Sequence, residues 1–143
     1  MKREILFKAK CFGNWRYGSY VHFDKKPTNS RCNINYKDFI ITNEVDGEHY
    51  YPITDLSSIG QYTGLKDKNG NKIFEGDILT GQNCRFVVKY DERQAEFVAV
   101  NSTLPKGFGL PMSQTWIDET KKVIGGNIHD NPELIKLKNE YKR

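Results

Sequence analysis

At 143 residues, with 37% apolar, 28% charged and 13% aromatic side chains, the chain has the mass for one folded domain and lies outside the disordered range. Its net charge of +4 is spread evenly: residues 1–59 hold 9 Lys/Arg against 7 Asp/Glu and residues 60–143 hold 13 against 11, which is +2 in each part. That balance excludes a strong basic tail or stripe for nucleic acid and leaves room only for a modest patch assembled on folding.

Residues 4–12 (EILFKAKCF) mix short apolar runs with alternation and read as a first strand. Residues 14–23 (NWRYGSYVHF) read as a second, with Gly18 marking a bend or bulge. The turn-rich 25–33 (KKPTNSRCN) reads as an exposed loop. Residues 34–53 read as two strands joined by an Asp-Gly turn at Asp46–Gly47, and 54–58 (TDLSS) as one helical turn capped by Thr54. Residues 85–90 (RFVVKY) and 95–100 (AEFVAV) flank DERQ as another hairpin. The Pro- and Gly-bearing start of 101–120 reads as a long surface loop, and 122–128 (KVIGGNI) as a closing strand with a Gly bulge. The tail reads as a helix. Asn131 is its natural N-cap, Pro132 suits its first position, and Leu134, Leu137 and Tyr141 form one apolar stripe that needs a surface to dock on.

Eight Tyr, eight Phe and two Trp favour half-buried sheet faces, while scarce Leu and Ala disfavour helices. The fold class that follows is mostly β (α+β): a compact, small-barrel-like antiparallel β domain with one C-terminal helix. Residues 1–143 form a single domain, with 59–128 the barrel-like part and 131–142 the helix. Cys11, Cys32 and Cys84 are odd in number and widely spaced, against a disulfide framework or a zinc knuckle. The opening MKREILFKAK is too charged for a signal peptide, and no apolar run approaches a membrane span.

Residues 59–79 (IGQYTGLKDKNGNKIFEGDIL) hold most of the suggestive chemistry. Asp67, Asn69 and Asn71 imitate the first three ligands of a calcium loop, yet Lys72 stands where the loop requires Gly and Ile78 where it requires a bidentate Glu. No Gly-Lys-Ser/Thr follows for phosphate. A hairpin accounts for every residue: Asn69–Gly70 at the turn, Asp67 bracing it through its side chain, and Ile73, Ile78 and Leu79 turning inward around a bend at Glu75–Gly76–Asp77.

Elsewhere, His22, His49 and His129 have no histidine partner at metal or catalytic spacing. Glu75 and Asp77 share the spacing of a carboxylate pair, but one of them bonding a neighbouring turn's backbone is the simpler role. Neither a catalytic residue, a cofactor nor a metal is therefore expected. Trp15, Arg16, Tyr17, Tyr20 and Arg31, with Lys8 and Lys10 close in sequence, offer a basic aromatic face that could stack bases or meet a partner. The competing and favoured reading is that alternate aromatics fill the core while the cations cover a solvated face.

The 59–79 stretch resembles the signature of the YopX family, small proteins encoded by temperate phages and prophages. Residues 3–10 (REILFKAK), 17–21 (YGSYV) and 123–135 (VIGGNIHDNPELI) match in the same order, the last with two glycines, Gly125 and Gly126, where the family pattern has one. The resemblance implies no established activity and supplies no catalytic residue. It implies a phage accessory protein working in the bacterial host cytoplasm.

The leading expectation is a non-enzymatic protein-interaction module with an unknown host or phage partner and no membrane association. The alternative is a nucleic-acid-binding accessory protein using the basic aromatic face. Homo-oligomerisation through the C-terminal helix stays open, with docking on its own chain preferred.

Overall fold

The structure, a computed structural model, describes residues 3–25 and 36–136. Most of the 25–33 loop, with Arg31 and Cys32, and the helix beyond Lys136, with Leu137 and Tyr141, lie outside the described residues. The chain divides into two compact units, Met1–Gln61 and Tyr62–Arg143. Both are built on antiparallel strands, so the mostly β fold class holds.

In the first unit, β1 (Phe7–Cys11), β2 (Asn14–His22), β3 (Asp38–Glu44) and β4 (Gly47–Pro52) pair in the order β4-β3-β2-β1. β5 (Asp55–Lys66) runs across the division; its residues 55–61 pair with β1 and its last five with β6 (Lys72–Phe74). The core of this unit is small: Ala9, Cys11, Ile40 and Ile53, walled by Phe7, Tyr20, Tyr51 and Ile59. Two sequence expectations need correction here. The β3–β4 turn is made by Val45 and Asp46, with Glu44 paired to Gly47, one residue earlier than the expected Asp46–Gly47. Gly47, at φ 122°, takes up the left-handed backbone just after the turn. Residues 54–58 are also not helical. The Thr54 hydroxyl accepts from Phe12 N (2.9 Å) and donates to Lys10 O (3.2 Å), while Ser58 Oγ accepts from Lys10 N (2.7 Å). The side chains that could cap a helix instead stitch this segment to β1, opposite which β5 carries extra residues between Asp55 and Gly60.

In the second unit, β7 (Asp77–Gly81), β8 (Cys84–Asp91), β9 (Glu96–Val100), β10 (Leu110–Pro111) and β11 (Val123–Asn127) make a five-stranded sheet in the order β10-β9-β8-β7-β11. Among the described residues this sheet is open, with β10 and β11 at its edges, rather than closed as a barrel. β7 and β8 are covered on both faces. Leu79 and Val88 pack with Ile73 and Ile117; Ile78 and Val87 pack with Ile128, Leu134 and Ile135. Ile117 belongs to a helix absent from the sequence expectations, α1 (Gln114–Glu119), whose N-cap Ser113 accepts from Trp116 N at 3.1 Å. Gln114 holds this helix against the end of β5, accepting from Lys66 N (3.0 Å) and donating to Lys66 O (2.7 Å).

The expected hairpin at Asn69–Gly70 forms, with Gly70 at φ 84°. Asn69 does not take positive φ, so the turn is not the two-residue type I′ form; Asp67 makes it possible instead. The β11 bulge falls between Ile124 and Gly126, and it absorbs the additional glycine of this chain. The C-terminal helix is seen as α2 (Glu133–Lys136), with Leu134 docked on its own unit's sheet. Asn131 does not cap it as expected: its Oδ1 accepts from Asn127 N (3.1 Å), closing the end of β11.

Candidate interaction face and hairpin cluster

Successive side chains of a strand point to opposite faces of its sheet. Trp15, Arg16 and Tyr17 are consecutive in β2, so they cannot share one. The register pairs Lys10 with Trp15 and Lys8 with Tyr17, placing these four together. Lys8 Nζ lies 4.4 Å from the Trp15 ring centroid and Lys10 Nζ 5.4 Å, so the indole is bracketed by two ammonium groups. Tyr17 remains 49% exposed beside it.

Arg16 and Tyr20 occupy the opposite, core-side face. The Arg16 guanidinium sits 4.2 Å above the Tyr51 ring, and Tyr20 packs on the core beside Phe7, ring centroids 5.8 Å apart. Tyr20 OH donates to Asp38 Oδ1 (2.6 Å), which also meets His22 Nδ1 at 2.7 Å. Burial, together with the Asp38 hydrogen bond and charge, pushes the Tyr20 hydroxyl up to about 12. Burial would raise Asp38, but the Tyr20 and His22 donors outweigh it and hold the carboxyl below its ordinary value. The sequence-derived face is thus two residues on one side and two on the other, with Arg31 outside the described residues.

At the β1–β2 turn, Phe12 (φ 52°) is 66% exposed, with Tyr36 edge-on to it at 6.0 Å. Phe12 N donates to Thr54 Oγ1, and Leu56, two residues beyond Thr54, is 59% exposed. Exposed aromatics and aliphatics at a strained turn are a binding feature more often than a stability feature.

The β3–β4 turn gathers a second cluster. His49 Nε2 lies 2.7 Å from Asp46 Oδ1 and 3.1 Å from Glu44 Oε2. The Asp46 hydrogen bond raises the His49 pKa against desolvation, the next largest effect, and the Asp46 and Glu44 charges add to the rise. Tyr51 OH donates to the other Glu44 oxygen (3.0 Å), and its ring stacks on the His49 imidazole at 6.1 Å and 17°. Sequence reasoning missed this set because it looked for histidine pairs. The available signal was Glu-x-Asp-x-x-His spanning a hairpin turn.

The suggestive acids of the second unit are structural. Asp67, buried, accepts from Asn69 N and Asn71 N (both 2.9 Å) and from Ile124 N (3.0 Å). Burial pushes its pKa up, but these donors outweigh that and leave it lowered. Asp77 Oδ2 accepts from Phe74 N (2.7 Å), the turn-bonding role expected for one of the Glu75/Asp77 pair.

Residues 10–136 match the family model described as "YopX protein". The chain belongs to the YopX family. Among solved structures, this YopX-family chain is similar to one titled "Crystal structure of protein EF1440 from Enterococcus faecalis". The two share 24% identity and a TM-score of 0.52, over 94% of this chain and 100% of that one, a likeness of fold. No curated protein sequence matches significantly. No helix among the described residues is long and apolar enough to cross a membrane.

Proposed function

We propose that this YopX-family chain is a non-enzymatic phage or prophage accessory protein that acts in the bacterial host cytoplasm as a protein-interaction module. The observation that carries this reading is the exposed aromatic and aliphatic surface of the first unit: Tyr17 beside Trp15, with Phe12 and Leu56 also exposed. Exposed aromatic anchors are what protein interfaces enrich, and Tyr17 and Phe12 are such anchors. The nucleic-acid reading draws support from the same indole, which could stack a base. It is the weaker reading, because Arg16 and Tyr20 are spent on Tyr51 and Asp38 rather than on the Trp15 side.

The test pairs capture of partners from phage-infected host lysate, with and without nuclease, with Phe12→Asn and Tyr17→Ser chains. Asn tolerates the left-handed backbone of position 12, so both variants should keep stability within about 0.5 kcal/mol in urea unfolding. The expected result is a nuclease-resistant host or phage protein captured by the wild type and lost by at least one stable variant. Capture abolished by nuclease, together with oligonucleotide binding that both variants weaken, would replace this reading with the nucleic-acid one.

A further inference from the structure

We propose that Glu44, Asp46 and His49 form a site for a zinc-class divalent ion (Zn2+, and Co2+ as its spectroscopic substitute) on the β3–β4 hairpin. Three different side chains each offer one ligand atom, and these atoms lie within 4.8 Å of one another. Zinc bonds to imidazole nitrogen and carboxylate oxygen at about 2.0–2.2 Å, so neighbouring ligands of a tetrahedral ion stand about 3.3 Å apart. The Glu44–His49 separation of 3.1 Å already suits that edge, and the Asp46–His49 separation of 2.7 Å has to open slightly. One nitrogen and two oxygens leave a fourth position for water.

The setting around the three ligands is what separates this cluster from a casual gathering of surface carboxylates. Tyr51 holds one Glu44 oxygen and so leaves the other turned to His49, and its ring fixes the imidazole plane. Thr42 stands directly across the strand pair from His49, and its buried hydroxyl oxygen has no hydrogen-bond partner. A metal-bound histidine donates its other ring N–H to an acceptor; Thr42 Oγ1, not bonded to His49 in the metal-free chain, is the nearest acceptor by register and would take that bond on loading. Arg16 Nε is the other buried side-chain atom without a partner among the described residues, and Arg16 lies over the same Tyr51 ring. On loading, Nε2 gives its lone pair to the ion and any proton it carried passes to solvent.

The experiment is titration of the full chain with Zn2+ by calorimetry and with Co2+ by visible absorption, alongside Ca2+ and Mg2+. Saturable 1:1 binding of Zn2+ and Co2+ is expected, without heat from Ca2+ or Mg2+. His49→Gln should weaken it by at least about 100-fold and Thr42→Val by about 10-fold, the range of an outer-sphere partner. His22→Gln, which removes the other carboxylate-paired imidazole of the first unit, should leave the affinity unchanged. All variants are checked for wild-type metal-free melting, and Glu44→Gln serves if His49→Gln fails that check. Binding that survives His49→Gln or Glu44→Gln, falls with His22→Gln, or shows a Co2+–thiolate charge-transfer band would overturn the assignment.

Discussion

The two units use the same element, the antiparallel hairpin, to opposite ends. In the second unit, β7 and β8 are apolar on both faces, with Ile78 and Leu79 fully buried on opposite sides and helical residues over each. Its acids turn inward to backbone N–H groups, as Asp67 does. In the first unit, the core is the small set around Ala9 and Ile40, and polar chemistry collects at the strand ends: Tyr20, His22 and Asp38 at one, Glu44, Asp46 and His49 at the other. A sheet packed on both faces spends its side chains on stability. A sheet with an exposed face keeps them for contact, and function concentrates in the less buried part.

The comparison breaks first at the second unit's centre. Leu79→Ala should cost about 2–5 kcal/mol in urea unfolding, because it opens a cavity between Ile73, Val88 and Ile117. A loss below about 1 kcal/mol would mean that the double-sided packing is not what holds this unit.

A smaller effect tests the first unit. A Cβ at Gly18 would run into the Ile41 carbonyl oxygen of the neighbouring strand, so the backbones of β2 and β3 approach too closely there for any other residue. Gly18→Ala should cost about 1–3 kcal/mol, with faster amide exchange confined to the β2–β3 pair. Wild-type exchange in that pair would show that the close approach is not required.

The smallest effect sharpens the contrast in how acids are used. Asp67→Asn should lose about 1 kcal/mol at neutral pH, since a charged acceptor is replaced by a neutral one. The folded pKa of Asp67 lies below its unfolded value, so the carboxylate's contribution is complete above about 3.9 and disappears as pH falls through the lowered folded value. Wild type and variant should therefore converge in stability as the pH is taken down into that acid range. A gap that stays constant with pH would assign the loss to shape rather than charge.

Much of this was legible in the residues. Alternating aromatics and β-branched runs determined the strands, Asp67 with Gly70 determined the 67–71 turn, and paired glycines determined the β11 bulge, because backbone sterics and strand periodicity act within a few residues. The family was legible too, in a long motif in which Asp67, Gly70 and Asp77 have local roles. What only the tertiary structure decided was where polar side chains spend their hydrogen bonds. Thr54, a locally good helix cap, went to β1 together with Ser58, and Asn131 went to β11. Ser113, with nothing competing for it, capped a helix that composition alone had concealed. The one-residue position of the β3–β4 turn likewise followed from the register of β3 with β4, and it brought Asp46 round to His49. Local propensities differ by only about 1 kcal/mol, and a single long-range strand pairing supplies as much, so sequence fixes the menu while packing makes the choice.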